Sequence, residues 1–203
     1  MSEPKKEQRI VICAIDTETT NIDCTKAHAV EVTFLPLTDR FDIDESKSHL
    51  TTLINPGQEE LDKGKEALSF NKISVEEILK GVPSNEFITM LEIWMEKNNI
   101  DQIMPLGQNY GGYDSIVLKR LLGFDNYERL INRRYKDSYM SASYINDVFS
   151  FNGLKRPFPK TSLGELARYF DIDSNGAHRS YADCVMTAKV YKKLIEKLAI
   201  VLS

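Results

Sequence analysis

The chain of 203 residues has no apolar run near the roughly 20 residues that a helix needs to cross a bilayer. Residues 1–9 are polar and lack the apolar segment of a secretory signal. Three cysteines, Cys13, Cys24 and Cys184, form no CxxC pair, and their odd number predicts free thiols. Together these absences favour a reducing compartment, and we expect a cytoplasmic protein of a bacterium or a phage-infected cell.

An excess of positive charge is also lacking. Lysine and arginine total 26 against 30 aspartates and glutamates, so the formal net charge is −4. This balance argues against a long electrostatic track along a nucleic acid, although bound divalent cations would supply positive charge locally. Only 10 glycines and 7 prolines occur, and 42% of the residues are apolar. These values predict a single domain over residues 9–203, preceded by a disordered polar tail at residues 1–8.

Hydrophobic periodicity predicts three strands ahead of most of the helices. Residues 9–15 form a β-branched run typical of a buried strand, residues 29–37 alternate apolar and polar side chains, and residues 48–54 end at a turn. Short polar links between these strands indicate an antiparallel meander. A further short strand is predicted at residues 102–106. Helical spacing or capping motifs occupy residues 74–81, 85–98, 115–122, 162–170 and 181–198. The pattern predicts an α/β fold with a mixed sheet flanked by helices.

Carboxylates lie at the predicted ends of these elements in three distant segments. Asp16 and Glu18 follow the first strand, and they point to one face if the strand continues that far. Asp114 begins a helix, while Asp183 lies in the first turn of the last helix, five residues after His178. Carboxylate oxygens suit Mg²⁺, and an imidazole can accept a proton from water. The set predicts a metal-dependent phosphodiester hydrolase in which Asp16 bridges two cations.

Some of these residues, taken alone, also have a structural interpretation. Asp114 fits the N-cap of its helix, and Ser180 with Asp183 has the spacing of a capping box. His28 and His49 have no comparable setting and are interpreted as ordinary polar residues. The order of the acids and the histidine, each at the edge of a predicted element, favours the shared site.

These motifs resemble those of the DEDDh family of 3′–5′ exonucleases, which includes proofreading and RNA-trimming enzymes on a ribonuclease-H-like fold. The first family motif is matched by residues 16–20 and the middle aspartate by Asp114, with Asn109 as the preceding asparagine. The final H-x4-D motif is matched by His178 and Asp183. Four residues separate Asn109 from Asp114, where many members have three. The resemblance covers residues 10–198.

The resemblance implies a role for each matched residue. It implies that two Mg²⁺ or Mn²⁺ ions are held by the four carboxylates Asp16, Glu18, Asp114 and Asp183. It implies that His178 is the general base. It implies that the terminal nucleotide is cradled by Thr17, Thr19 and Thr20, with Asn109 nearby. The expected substrate is the 3′ end of DNA or RNA, single-stranded or at a frayed or mispaired duplex end. Because no polymerase domain is attached, proofreading would require a polymerase partner in trans.

Two alternatives remain open at this point. One is a catalytically silent nucleic-acid-binding relative of the same fold, against which the presence of all five expected residues argues. The other is an EF-hand-like calcium-binding protein, because residues 171–176 match the first half of such a loop. That match lacks the bidentate glutamate expected at the twelfth position, which is Ala182.

Overall fold

The computed structural model describes residues 8–69 and 73–201, so the predicted 1–8 tail lies outside this part except for its last residue. Its strands are β1 (Ile10–Thr19), β2 (Ala29–Leu37), β3 (Leu50–Asn55), β4 (Val82–Pro83), β5 (Gln102–Gly107) and β6 (Lys136–Asp137). Its helices are α1 (Gln58–Lys63), α2 (Lys65–Leu68), α3 (Val75–Leu79), α4 (Phe87–Lys97), α5 (Asp114–Leu122), α6 (Phe124–Leu130), α7 (Ser138–Phe151), α8 (Leu163–Tyr169) and α9 (Ser180–Val201). Within the described ranges, no helix combines the length and apolar character needed to span a bilayer.

The strands form one mixed sheet in the order β4-β3-β2-β1-β5-β6. β2 pairs antiparallel with both β1 and β3, whereas β5 pairs with β1 in parallel. This arrangement confirms the predicted mixed sheet with a three-stranded antiparallel meander. The β-branched run of β1 accordingly occupies the interior of the sheet, where both of its edges are paired.

β1 is longer than the hydrophobic run predicts. Its pairing with β2 continues past the apolar residues, with Asp16 opposite Thr33 and Glu18 opposite Glu31. The register shifts only after Glu18, next to Thr19. The condition for Asp16 and Glu18 to share a face is therefore met, because both lie within regular strand.

Helices cover both faces of the sheet. On one face, Ile15 and Phe34 pack with side chains of α4 and α5, including Trp94 and Val117. On the other face, Ala14 and Leu35 pack with Cys184, Ala188 and Tyr191 of α9. Because side chains alternate along a strand, Asp16 and Glu18 lie on the same face as Ala14, beneath α9.

Local motifs confirm some predictions and correct others. Ser74 and Glu77 form the predicted capping box at the start of α3. The predicted capping box at Ser162 is wrong, because this side chain makes no capping hydrogen bond and Glu165 pairs with Arg168 instead. α7, which was not predicted, begins at Ser138 and has Asp137 as its N-cap, whose side chain accepts from the Met140 amide. All three cysteines are free, as predicted.

Candidate active site

Three carboxylates from two elements meet beside the end of β1. Oxygen atoms of Asp16, Glu18 and Asp183 all lie within 4.8 Å of one another. β1 supplies the first two on one face, and the first turn of α9 supplies the third. Carboxylate oxygens at this spacing can ligate one hard divalent cation. In the part of the chain that the structure describes, no other group of three such residues comes this close together.

Asp114 lies beside this group and is 5% exposed. It is the first residue of α5 and not its N-cap, a position that Tyr113 occupies. One of its oxygens accepts hydrogen bonds from the Thr17 amide at 3.1 Å and from the Thr17 hydroxyl at 2.7 Å. The structure therefore places the hydroxyl of Thr17 against Asp114, which links the carboxylate of α5 to β1.

Burial, together with neighbouring negative charges, raises the pKa values of these acids. Burial, with the charges of Asp114, Asp183 and Glu18, raises the pKa of Asp16 well above its usual range. Burial and the charges of Asp183 and Glu31 raise the pKa of Glu18 to about 7. Burial also raises the pKa of Asp114 to about 7, although the hydrogen bonds from Thr17 oppose this. Carboxylates with raised pKa values are hard to ionise when no cation is near. A bound cation would stabilise their charged form, so the cluster is suited to hold one.

Glu31 is a further acid at this site, one that the sequence patterns did not identify. It lies opposite Glu18 on β2 and is 1% exposed. Its carboxylate forms an ion pair with Arg179, with 2.6 Å between Nη2 and Oε1. Its carboxylate is thus occupied by Arg179, and it is not one of the three acids whose oxygens converge.

His178 lies at the exposed edge of the site, two residues before α9. Its backbone adopts a φ of 70°, a conformation that residues other than glycine seldom take. Together with Asp183 it lines a cavity of about 470 Å³. His178 and one of the three residues with converging carboxylates thus border the same cavity.

The predicted nucleotide cradle after β1 is built from hydrogen-bonded threonines. Thr19 Oγ1 lies 2.5 Å from the Tyr113 hydroxyl and donates to the Asn21 carbonyl at 3.0 Å. Tyr113 also donates to that carbonyl. Thr20 Oγ1 accepts from the His28 amide at 3.1 Å. These contacts fix the turn that follows Asp16 and Glu18. Tyr113 contributes to this turn, a role that the sequence patterns did not predict.

Asn109 lies between β5 and α5 and is exposed, with a left-handed φ of 59°. Its backbone N–H donates to Oδ1 of Asp137 at 3.1 Å. A Cβ atom at Gly112 would stand 2.6 Å from the Asn109 side-chain oxygen, so glycine at this position leaves room for the Asn109 side chain. The longer spacing before Asp114 is accommodated in a 3-10 turn at Tyr110–Gly112.

The EF-hand-like segment has the geometry of an ordinary turn. Asp173 accepts from the Asn175 amide at 3.0 Å through one oxygen and from the Asn175 side chain at 3.2 Å through the other. Ala182, at the twelfth position of the motif, lies inside α9. Neither feature supports a calcium loop.

Comparison with known proteins identifies the same family as the motifs. The profile of the RNase T family, described as exonuclease, matches residues 13–191. The epsilon subunit of DNA polymerase III from Aquifex aeolicus is 29% identical over 103 residues, which are 49% of this chain and 49% of that subunit. The chain therefore aligns with about half the length of this curated relative.

Solved structures share the fold at low sequence identity. Exonuclease I of E. coli, in complex with a dT13 oligonucleotide, has a TM-score of 0.72 at 15% identity, covering 96% of this chain and 43% of that one. Cell-death related nuclease 4 has a TM-score of 0.70 at 15% identity, covering 94% of this chain and 66% of that one. These likenesses confirm the predicted ribonuclease-H-like α/β fold.

Proposed function

The chain belongs to the RNase T exonuclease family, and we propose that it removes nucleotides from the 3′ end of nucleic acid in a metal-dependent reaction. The observation that carries this proposal is the convergence of Asp16, Glu18 and Asp183, from two distant segments, to within 4.8 Å. Asp114 adjoins them through Thr17. A polar site of this kind, built at the end of a central strand, suits hydrolysis of a phosphodiester bond.

Four carboxylates, Asp16, Glu18, Asp114 and Asp183, would hold two Mg²⁺ or Mn²⁺ ions. When bound, such a pair supplies charge stabilisation to the attacking and leaving oxygens of a displacement at phosphorus. Asp16, on the central strand, is the candidate to bridge the two ions. His178 would accept the proton of the attacking water at an imidazole nitrogen, and its exposed position leaves that nitrogen accessible. The products would be nucleoside 5′-monophosphates.

Thr19, Thr20 and Asn109 would contact the terminal nucleotide through the turn and loop that flank the acids, while Thr17 would line the site from β1. The substrate we place first is single-stranded DNA, because the exonuclease I structures were solved with dT13 and dA16 oligonucleotides. RNA and frayed or mispaired duplex ends are the other candidates. The match to a DNA polymerase III epsilon subunit supports a polymerase as a partner in trans.

The test is digestion of DNA and RNA oligonucleotides of one sequence, labelled at the 5′ end, with Mg²⁺ or Mn²⁺. We expect a ladder that shortens from the 3′ end, no turnover in EDTA, and no shortening when the 3′-terminal linkage is a phosphorothioate. His178→Ala should lower kcat by about 10²–10⁴-fold, the usual contribution of a general base.

Asp173→Asn is the matched control, since it removes an acid of the adjoining loop and should leave turnover unchanged. Full turnover in EDTA would refute the metal requirement. Internal cleavage, or release from the 5′ end, would refute the polarity. Full activity of His178→Ala would refute the assignment of the base. Binding of the oligonucleotides without any turnover would instead favour the catalytically silent relative.

A further inference from the structure

The buried Glu31 and the partly exposed Arg179 connect β2 to the start of α9. The Arg179 Nη2 atom donates to Oε1 of Glu31 at 2.6 Å, and Nε donates to the same oxygen at 3.1 Å. The Ser180 amide and hydroxyl donate to Oε2 at 2.8 and 3.0 Å. Both oxygens of Glu31 are thus occupied by donors from two consecutive residues.

A second residue of β2 binds the same point of α9. The hydroxyl oxygens of Thr33 and Ser180 lie 2.8 Å apart, and both residues are fully buried. Because Glu31 lies opposite Glu18 and Thr33 opposite Asp16, these β2 side chains share the face of the two β1 acids. The helix start is therefore bound to the strand immediately beside the candidate ligands.

Arg179 lies between two residues of the candidate site, His178 before it and Asp183 in the first turn of α9 after it. Its carbonyl accepts from the Asp183 amide at 3.1 Å, which closes the first turn of α9. His178 directly precedes it and has a φ of 70°. A movement of Arg179 would therefore be transmitted through one hydrogen bond to Asp183 and through one peptide bond to His178.

We propose that Glu31 and Arg179 are positioning residues, whose ion pair holds Asp183 and His178 in register with Asp16 and Glu18. This inference rests on the proposed function. Glu31 then positions the start of α9 and does not bind the cation, because its oxygens are occupied by Arg179 and Ser180. Replacing residues that orient metal ligands typically lowers metal affinity or activity by about 10–100-fold.

The test compares Glu31→Gln, Arg179→Ala and the double variant Glu31→Gln/Arg179→Gln with the parent protein. The double variant removes both charges, so it leaves no unpaired carboxylate in the interior and keeps a measurable fold if Arg179→Ala does not. Arg129→Ala is the matched control, because it breaks an exposed ion pair with Glu92 between α6 and α4.

Two quantities are measured on protein with a parent-like circular dichroism spectrum: Mn²⁺ affinity by calorimetry without substrate, and kcat and KM on a labelled oligonucleotide. We expect the three site variants to bind Mn²⁺ about 10–100-fold more weakly and to lose kcat with little change in KM. Arg129→Ala should match the parent protein in both.

Parent-like Mn²⁺ affinity and kcat in the folded double variant would overturn the positioning role and leave the proposed function standing. A parent protein that binds Mn²⁺ but shortens no oligonucleotide would overturn the proposed function. In that case the Mn²⁺ affinities alone would decide whether Glu31 and Arg179 hold the cluster together.

Discussion

At Glu18, the burial that suits a carboxylate to hold a cation also makes its charge unfavourable when no cation is present. Its pKa is raised to about 7 by burial and by the charges of Asp183 and Glu31. A group with a raised pKa in the folded state binds more protons there than in the unfolded chain. Its ionisation therefore lowers the free energy of unfolding as the pH rises from about 4.5 to about 7.

We predict that the metal-free protein loses stability over this pH range and that Glu18→Gln reduces the loss. The glutamine carries no charge, so at pH 8 in EDTA the variant should exceed the parent in free energy of unfolding by on the order of 2 kcal/mol. Below pH 4.5 the difference should shrink, because Glu18 is then protonated in both states. Denaturant unfolding at pH 4.5, 6 and 8 measures this.

Glu128→Gln, at an exposed position on α6, is the control and should show no such pH-dependent gain. If Glu18→Gln is less stable than the parent at pH 8 in EDTA, the repulsion inferred for the acid cluster is wrong. With Mn²⁺ in place of EDTA, the parent should have the higher free energy of unfolding, since Glu18→Gln lacks one cation ligand.

The separate sequence motifs predict the converging acids but not the Glu31–Arg179 ion pair beside them. D-x-E at the end of a strand and H-x4-D before a helix have recognisable spacings, and these point to Asp16, Glu18 and Asp183. Glu31 alternates with Val30 and Val32, a pattern that normally indicates a solvent-facing polar side. Here α9 covers that side, and the residue that pairs with Glu31 lies 148 positions away. No local spacing indicates such a contact.

Among the helices, identical spacings lead to different contacts. Ser74 and Glu77 form a capping box, whereas Ser162 and Glu165 do not, because Glu165 pairs with Arg168 and Lys160. Four helices were not predicted, namely α1, α2, α6 and α7. The longest of them, α7, contains many serine and tyrosine residues with modest helix propensity. Its buried Ala142 and Ile145 pack with Met186 and Val190 of α9, so tertiary contacts stabilise it.

Two glycines test how tightly the elements around the sheet are packed. A Cβ atom at Gly81, which follows α3, would stand 2.6 Å from the Leu53 carbonyl oxygen of β3, whereas one at Gly164 in α8 would meet nothing within 4 Å. We predict that Gly81→Ala destabilises the protein by about 1–3 kcal/mol, because backbone of β3 must shift. Gly164→Ala should be neutral or stabilising by up to about 1 kcal/mol.

Thermal unfolding of both glycine variants at one pH gives the comparison directly. Equal melting temperatures for the two would show that α3 is free to move away from β3. A loss of stability in Gly164→Ala alone would contradict the open surroundings of that glycine in α8.

For the whole molecule, the order of β1, β2 and β3 follows from patterns that are readable in the sequence. Consecutive strands with short polar links usually pair as neighbours, and the apolar run of β1 requires cover on both faces. The very short strands β4 and β6, each of two residues, carry no periodic signal and were not predicted. They pair because β3 and β5 offer free edges, which is a property of the assembled sheet.

Cation binding should stabilise the entire fold, because the ligands come from segments that converge only when the chain is folded. A cation at about 100 times its dissociation constant contributes about 2.7 kcal/mol. Since about 1 kcal/mol corresponds to about 2–4 °C at this chain length, we predict that Mn²⁺ raises the melting temperature by roughly 5–10 °C at pH 8. The rise should be smaller at pH 5.5, where protonated carboxylates compete with the cation.

Two aspartate variants locate the site responsible for this response. Asp16→Asn, on β1, should remove most of the Mn²⁺-dependent rise, because its oxygen belongs to the converging trio. Asp173→Asn should leave the rise intact, because the oxygens of Asp173 accept from Asn175. The opposite result, with Asp173 required and Asp16 dispensable, would move cation binding to residues 171–176 and revive the EF-hand-like interpretation. Calcium in place of Mn²⁺ would then give the larger stabilisation.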